Sequence, residues 1–201
     1  PSNGEVIIRA GTQVYHLSRG SSLKLETNTV EDGRSRITST SLLGGFVKFL
    51  IPPRESSDNK FGVKSGTVIL GVKGTQFVVD SSQGKDDVYV TDGVVVVSNI
   101  ATPSQKTDLL AGRGISSTAK GLEEPRIVKA QDLVQKYPEL FKGARYTEDA
   151  TIKDLKTDID DNRYVGSENA ARSPNALSWV LILAGMLICV IVYLRLFHKK
   201  K

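Results

Sequence analysis

An uncharged, apolar run near the C-terminus constrains this chain more than any other feature. It covers residues 173–194 and is followed at once by basic residues. About 20 apolar residues, rising about 1.5 Å each in a helix, cross a hydrocarbon core of about 30 Å. Apolar side chains surround the run on all sides, whereas a core helix usually keeps a polar stripe. The sequence therefore predicts a transmembrane helix at residues 176–196, in preference to a buried core helix.

The flanks of this run predict its orientation. Trp179 and Tyr193 lie near opposite ends, where aromatic rings favour the membrane interfaces, and Gly185 could let a second helix approach closely. Arg195 and Lys199 follow the run, and basic residues beside a membrane helix are retained in the cytoplasm. We therefore predict a cytoplasmic basic tail at residues 197–201 and an N-terminal part in the periplasm, on a bacterial inner membrane.

The N-terminal end of the sequence also bears on which side of the membrane the β domain lies. We expect a signal peptide or a further N-terminal domain to precede Pro1, because the one methionine of the chain is Met186. We favour a signal peptide, since one that is removed after export would leave the residues before the helix outside the cytoplasm. A tail-anchored protein, whose N-terminal part stays in the cytoplasm, is the alternative.

The net charge of +5 does not indicate nucleic-acid binding once the charges are located. The chain has 27 Lys and Arg and 22 Asp and Glu, and four of the basic residues follow the apolar run. The part before the run thus has 23 basic and 22 acidic residues, a net charge of +1. Such a surface lacks the field that attracts phosphate backbones, so we expect no nucleic-acid partner.

The sequence offers no set of residues for catalysis. The two histidines are His16 and His198, and the one cysteine, Cys189, lies inside the apolar run. These residues cannot supply a His-based triad, an external thiol nucleophile or a zinc site. Residues 158–162 resemble the start of a calcium loop, but the glycine and glutamate that such a loop needs are missing. We expect no enzyme activity, catalytic residue, metal site or cofactor, and leave open a loose calcium site.

Residues 4–119 have the pattern of a β domain. Short apolar-alternating runs, broken by Gly, Asp, Asn and Ser, recur about every 8 to 12 residues, which is typical of sandwiches, barrels and β-solenoids. The run of four valines at 94–97 predicts a strand covered on both faces, and Asp92 with Gly93 predicts a tight hairpin turn. The predicted strands are 6–9, 13–17, 22–26, 36–40, 46–51, 60–64, 68–71, 76–80, 87–91 and 94–99.

The pattern changes after residue 119. Apolar residues at helical spacing between 130 and 142 predict an amphipathic helix, interrupted by Pro138. We expect its apolar stripe to pack on the β domain, and contact with the lipid surface is the less favoured alternative. A second short helix is predicted at 151–160, within a polar and charged segment at 143–174. We interpret residues 120–175 as a juxtamembrane helix and stalk.

The segment 68–99 carries a specific motif, VILGVKGTQFVVDSSQGKDDVYVTDGVVVVSN. It resembles the middle of a FecR domain, in which a V-R-G-T-x-F core precedes a V-x-V-x-x-G-x-V-x-V strand pair. Here lysine replaces the commoner arginine of that core. Generic elements at 42–49 and 109–112 also fit, so the resemblance extends over about residues 4–118. The matching motif residues are Gly71, Val72, Lys73, Gly74, Thr75, Phe77 and Gly93.

The resemblance implies a β-solenoid-like or sandwich-like extracytoplasmic domain. The best-known FecR proteins relay the signal of an outer-membrane transporter to a cytoplasmic sigma factor through a cytoplasmic domain that precedes their membrane helix. Here the predicted anchor comes last, so we do not expect this chain alone to signal to transcription. We expect Gly74, Thr75 and Phe77 to be structural, while a partner contact by Lys73 is the less favoured alternative.

Our leading hypothesis is a non-enzymatic scaffold or protein-interaction subunit of a bacterial envelope complex. Its partners would be other envelope or membrane proteins, in a homo- or hetero-oligomer, and the lipid bilayer. One alternative is a glycan-binding module that tethers the membrane to peptidoglycan, with Tyr15, Phe49, Phe61 and Tyr89 as candidate sugar-stacking residues. The other is a signal-relay component related to the FecR-type regulators.

Overall fold

The structure is a computed structural model that describes residues 4–31, 34–53 and 61–157. These residues form a mainly β fold with one α-helix and one short 3-10 helix, Ile152–Asp154. The strands are β1 (Val6–Ala10), β2 (Gln13–Leu17), β3 (Ser22–Glu31), β4 (Arg34–Ile51), β5 (Phe61–Lys64), β6 (Val68–Val72), β7 (Thr75–Ser82), β8 (Lys85–Asp92), β9 (Val94–Asn99), β10 (Lys106–Leu110), β11 (Arg113–Thr118), β12 (Gly121–Leu122) and β13 (Arg126–Ile127), and the helix is α1 (Ala130–Lys136).

The strands make one strongly curled sheet, a half-barrel with two facing halves. Strand β4 belongs to both halves, because its first part pairs with β3 and β5 and its second part pairs with β2 and β7. In what we call the β6 half, β5, β6, β9 and β10 follow β4 in that order. In the β8 half, β4 is followed by β7, β8 and β11, with β12 and β13 beside β11 and β1 beside β2.

Strand β4 joins two strands that the sequence predicted as separate elements. The 18-residue strand bends at Gly45, which adopts a φ of +85°. A Cβ atom at Gly45 would lie 2.6 Å from the Cα atom of Ser21, so glycine allows the close approach. Ser21 Oγ donates to the Phe46 carbonyl at 2.9 Å and accepts from the Phe46 N–H at 3.1 Å. The bend therefore lets one continuous strand serve both halves.

The main core lies between the two halves. Alternating residues of the strands that line it, such as Val47 and Phe49 of β4 and Phe77 of the neighbouring β7, are 0% exposed. The rings of Phe49 and Phe77 stack with centroids 4.7 Å apart and planes 5° from parallel. Tyr15 and Phe61 pack against Phe49 at centroid distances of 5.9 and 6.4 Å. This aromatic cluster joins strands of both halves.

Asp86, near the N-terminal end of β8, connects the two halves of the sheet through hydrogen bonds. Its side chain is 0% exposed and accepts hydrogen bonds from Ser65 Oγ and Thr67 Oγ1, each at 2.6 Å, and from the Thr67 N–H. Both donors belong to the turn between β5 and β6 in the opposite half. The buried carboxylate is thus satisfied by hydrogen bonds within the fold.

The outer face of the β8 half is covered by residues 126–157. Leu133, Tyr137 and Phe141 are at most 2% exposed and pack with Val78 and Tyr89 of the sheet. The apolar stripe of the predicted helix thus packs on the β domain. Further along, Ala150, Ile152 and Leu155 join the same cluster. Residues 143–157, interpreted from the sequence as part of a stalk, are therefore packed against the sheet.

Helix α1 is shorter than the predicted helix at 130–142. It ends at Lys136, and Tyr137 has φ −134° and ψ 60°, outside the helical region. The reason is Pro138, because the residue before a proline avoids the α conformation. The short helix predicted at 151–160 is a single 3-10 turn with a capping box formed by Thr151 and Asp154.

Two further predictions from the sequence were wrong. Val95 and Val97 are 0% exposed but Val94 is 40% exposed, so the valine run is not a strand buried on both faces. Gly93 does not close a hairpin either, because β8 pairs with β7 and β11 whereas β9 pairs with β6 and β10. Gly93 is instead the corner at which the chain passes from the β8 half to the β6 half.

Within the three described ranges, no helix is long and apolar enough to cross a membrane. The predicted membrane helix at 176–196, the basic tail at 197–201 and the incomplete calcium loop at 158–162 lie outside the described residues.

Candidate functional site

The motif residues gather where the chain crosses between the two halves. Val72 ends β6, Thr75 begins β7, and Lys73 and Gly74 form the crossing. Gly74 has a φ of +67°, and a Cβ atom there would lie 2.7 Å from the Cα atom of Pro53. Glycine therefore satisfies two requirements at this position, a left-handed backbone and direct contact with another segment of the chain.

A second crossing at Gly93 lies directly against the first. Gly93 has a φ of +81°, and a Cβ atom there would lie 2.6 Å from the Gly74 carbonyl oxygen. The buried Thr75 Oγ1 donates to the Val94 carbonyl at 2.9 Å, which joins the two crossings. A third crossing follows at Gly112, and the neighbouring Ala111 N–H donates to the Gly93 carbonyl at 3.1 Å. The three crossings at Gly74, Gly93 and Gly112 therefore lie next to one another, and together we call them the glycine corner.

The remaining motif residues lie around this corner. Val72 and Phe77 are at most 2% exposed and belong to the main core. A Cβ atom added at Gly71 would meet Val96 at an ordinary contact distance of 3.7 Å. Lys73 is exposed, and among the described residues it has no hydrogen-bond or ion-pair partner. The motif thus mostly occupies packing positions, and Lys73 is the member that a partner could reach.

The residues predicted to anchor the chain lie outside the described residues, so the structure does not place them. They are Trp179, Gly185, Tyr193, Arg195 and Lys199.

A cluster of charged groups on the outer face of the β8 half was not predicted from the sequence. Lys136 Nζ lies 3.3 Å from an Asp80 carboxylate oxygen and 3.2 Å from an Asp87 carboxylate oxygen. The Tyr137 hydroxyl donates to Asp80 at 2.6 Å, and Lys136 Nζ donates to the Tyr89 hydroxyl at 3.2 Å. We call these groups the charged clasp, because they attach α1 to strands β7 and β8.

The clasp shifts the pKa values of three of its members. Burial alone would raise the pKa of Asp87, but the Ser116 hydrogen bond and the nearby Lys136 outweigh it and lower the pKa below its usual value. Burial would likewise lower the pKa of Lys136, but the contacts with Tyr89 and Asp87 raise it. Burial, and then the hydrogen bond to Asp80, raise the pKa of Tyr137.

These pKa shifts decide what the clasp can do chemically. At neutral pH Asp87 is ionised, Lys136 is an ammonium group and Tyr137 keeps its proton. An ammonium held by carboxylates is not a free amine nucleophile. The clasp can therefore hold charge and position α1, which is a structural role.

Other polar contacts attach the rest of the C-terminal segment to the β8 half. The Lys48 side chain is 1% exposed, donates to Thr157 Oγ1 at 3.0 Å and lies 5.1 Å from the centre of the Phe141 ring. The Ser18 hydroxyl donates to the Glu139 carboxylate. Residues 126–157 thus bind the sheet through apolar packing and through charged groups at several separate points.

A small cleft beside α1 has a volume of about 220 Å³. Ligand pockets usually measure about 300–1,000 Å³, so this cleft is small for an organic cofactor. No cluster of three or more His, Cys, Asp or Glu side chains suited to a metal ion occurs in the part of the chain that the structure describes. The cleft is lined by Tyr89, Arg126, Ile127, Val128, Asp132, Leu133 and Lys136.

The aromatic residues proposed for sugar stacking are not available to a sugar. Tyr15, Phe49 and Phe61 are at most 1% exposed, and Tyr89 is 5% exposed beneath α1. A ring that is enclosed by protein on both faces cannot stack on a glycan. These four residues therefore give no support to the glycan-binding alternative.

Replacing Asp87 by asparagine should lower the free energy of unfolding at pH 7 by about 1–3 kcal/mol, because a hydrogen-bonded carboxylate beside Lys136 is lost. The pKa of Asp87 is lowered in the folded chain, so its stabilisation is present above about pH 4 and is lost as the pH falls through the folded value. The variant should therefore lose less stability than the wild type between pH 5 and pH 2. Urea denaturation across this range measures both effects.

Asp108→Asn is the matched control for this experiment. Asp108 is exposed on β10, and among the described residues it has no ion-pair or hydrogen-bond partner. We expect that replacement to change stability by less than about 0.5 kcal/mol. Equal losses in the two variants would contradict the role assigned to Asp87.

Comparisons with known proteins bear on the fold and on the motif. The family model described as FecR protein matches residues 4–96, which include the crossings at Gly74 and Gly93. Two crystal structures of a candidate anti-sigma factor from Parabacteroides distasonis ATCC 8503, at 1.65 and 2.50 Å resolution, are similar, with TM-scores of 0.55 and 0.54. Each covers 72% of this chain, at 20% and 21% identity.

This chain spans 64% and 63% of the length of those two structures, and at such low identity the likeness shows a shared fold alone. No curated protein matches the sequence. The matched range contains the motif, with Gly74 and Gly93, the two glycines whose positive φ and close contacts the corner requires. Residues 4–96, most of the β domain, therefore match the FecR protein family.

Proposed function

We propose that this chain is a non-enzymatic signal-relay component of the FecR type, whose β domain recognises a protein partner. The observation that carries the proposal is the FecR family match at residues 4–96. The shared fold with candidate anti-sigma factors supports a regulatory role in the same way. The partner would be an envelope or membrane protein that the domain contacts through its surface.

A relay is favoured over the scaffold that the sequence first suggested. The family and the two structural neighbours both point toward regulation, and neither points toward a structural assembly. The argument against a relay was the order of the segments, with the membrane helix last. That order is taken from the sequence and still applies, so in this proposal the chain relays its signal together with a partner protein and not alone.

The charged clasp supports a role without catalysis. Its carboxylates, its lysine and its tyrosine hydroxyl are bound to one another, as their distances of 2.6–3.3 Å indicate. Groups committed to mutual contacts in this way hold elements together and do not react with a substrate. In this proposal the protein acts through binding and through changes in its own contacts.

Residues 126–157 are well placed to transmit a change in the β domain. They connect the sheet to residues 158–201, and their contacts with the sheet include the charged clasp and the buried Lys48. A relay needs an element with two arrangements whose balance a partner can shift. We take this segment, docked or released, as that element.

The location proposed for the domain is the outer face of a bacterial inner membrane. It rests on the apolar run at 173–194 and on the basic residues that follow it. In spheroplasts, added protease should digest residues 1–170 without lysis. Protection of these residues until lysis would contradict this location.

Deleting the gene in its host should change the transcript levels of a limited set of genes, and expressing the full chain should restore them. RNA sequencing of the deletion strain, the complemented strain and the parent measures this effect. Unchanged transcripts, in cells where the chain is present in a fixed ratio to an envelope assembly, would contradict the relay and favour the scaffold.

A further inference from the structure

We propose that β1 is a self-pairing edge, at which two copies of this chain join as antiparallel strands centred on Ile7. The inference concerns a contact between two copies of the protein. It goes beyond the proposed relay and does not depend on it.

Strand β1 has a free side. Among the described strands it pairs with β2 and with no other. The two-residue turn after β1 closes on the pair Ala10 and Gln13, and the closing pair of such a hairpin is hydrogen-bonded. Hydrogen-bonded pairs alternate along an antiparallel ladder, so Ile8 also bonds to β2, while Ile7 and Arg9 direct their N–H and C=O groups away from it.

The free side also exposes apolar side chains. Val6 is 50% exposed and Ile7 is 44% exposed. Edge strands of monomeric proteins are usually protected by a charged side chain, a proline, a bulge or a cover, and β1 has the first of these in Arg9. Strand β1 has no proline, its register with β2 is continuous, and no element of the described residues pairs with its outer side. These properties are those of a strand that accepts another strand.

The sequence around Ile7 is complementary to itself. If two copies pair about a two-fold axis at Ile7, the two Ile7 side chains face each other and each Val6 faces an Ile8. Each Glu5 then faces the Arg9 of the other copy, so two pairs of opposite charge flank an apolar centre. A shift of the axis to Ile8 would place Arg9 opposite Ile7 and would lose both charge pairs.

Glu5 is already oriented for this contact. One of its carboxylate oxygens, Oε2, lies 2.7 Å from Nε2 of the buried His16, and the Glu5 side chain remains 38% exposed. The other oxygen is therefore available to an arginine. Arg9 is exposed, and it has no ion-pair partner in the part of the chain that the structure describes. The charge complementarity selects a second copy of this chain as the occupant.

The first test exchanges the charges in the full chain, held in detergent or nanodiscs. Arg9→Glu and Glu5→Arg should each weaken self-association about tenfold, because like charges then face each other. An equimolar mixture of the two variants should form a heterodimer, since both acidic side chains of the Arg9→Glu variant then meet arginines of the other copy. Analytical ultracentrifugation and capture of one tagged variant by the other measure these outcomes.

The second test detects the strand contact directly. In a Cys189→Ser background, Ile7→Cys should form a disulfide-linked dimer, because the two-fold axis brings the two residues face to face. Leu110→Cys is the matched control, since Leu110 is 51% exposed on β10 and is expected to stay monomeric.

A monomeric wild-type chain, or cross-linking at position 7 no greater than at position 110, would overturn the proposal. Cross-linking of position 7 to a different protein would also overturn it, because the edge would then serve another partner. Arg9→Glu changes an exposed side chain, and circular dichroism checks that each variant is folded. If transcript levels contradict the relay but the Ile7→Cys variant forms its disulfide-linked dimer, the self-pairing of β1 is still supported.

Discussion

Replacing Phe77 by alanine should lower the free energy of unfolding by about 4 kcal/mol, the largest effect we expect from a single substitution. Phe77 is 0% exposed and stacks on Phe49, with ring centroids 4.7 Å apart. The substitution removes the ring from the centre of the core and leaves a cavity that the two halves of the sheet cannot close. Urea denaturation of the full chain in mild detergent, followed by circular dichroism, measures the loss.

Tyr146→Ala is the control for Phe77, because it also removes an aromatic ring, but one that is 39% exposed. We expect that variant to lose less than about 1 kcal/mol. Similar losses in the two variants would show that Phe77 does not lie in the centre of a packed core.

Replacing Gly74 by alanine should cost about 3 kcal/mol, the second large effect. The left-handed backbone at Gly74 strains any L side chain, and the added methyl group would lie 2.7 Å from Pro53 Cα. The backbone at Gly93 packs against Gly74, so the substitution should also displace the neighbouring crossing at Gly93. The same denaturation experiment gives the magnitude.

The Gly84→Ala variant separates the cost of the left-handed backbone from the cost of the contact with Pro53. Gly84 has a φ of +73°, close to that of Gly74, but an added Cβ atom would have no neighbour within 4 Å. We expect it to cost about 1 kcal/mol, the backbone term alone. If both variants lost the same stability, the contact of Gly74 with Pro53 would have no energetic role and the structural interpretation of the motif would fail.

Alternation of apolar residues was sufficient to locate most strands of the curled sheet. Phe61 and Val63 of β5, for example, are core residues, whereas the intervening Gly62 is only partly buried. Pairing was harder to predict, because a glycine with a positive φ serves a hairpin and a corner equally well. At Gly93 the choice depends on contact with Gly74, which is distant along the chain. Strands β10 and β11, like the two-residue strands β12 and β13, were missed because their sequences, KTDLL and RGISST, contain few apolar residues.

The charged clasp could not be predicted from local patterns. Asp80 and Asp87 alternate with core residues, so the sequence places them on the outer face of the sheet, where solvent is the ordinary expectation. Lys136 and Tyr137 lie in a predicted helix whose apolar stripe was the visible signal. Only the docking of α1 brings the charges together, with Lys136 Nζ 3.2 Å from Asp87. Outward-facing carboxylates opposite an amphipathic helix are the signal that could have indicated it.

The position of the motif also changes where partner-binding residues should be sought. Gly74, Thr75 and Phe77 are occupied by packing, so among the motif residues Lys73 is the one that a partner could reach. The chemistry of the surface lies elsewhere, at the free edge of β1 and along residues 126–157. For this reason a family match identifies the domain without identifying its partner.

The most direct test of the relay is to open the charged clasp in the full chain and to measure the transcripts that respond to deletion of the gene. Lys136→Met combined with Tyr137→Phe removes the contacts with Asp80 and Asp87, while Lys129→Met with Tyr146→Phe changes the same residue types at exposed positions. At equal protein levels, the account predicts that the clasp variant alone changes these transcripts without any external signal. Wild-type transcript levels in cells carrying the folded clasp variant would contradict it.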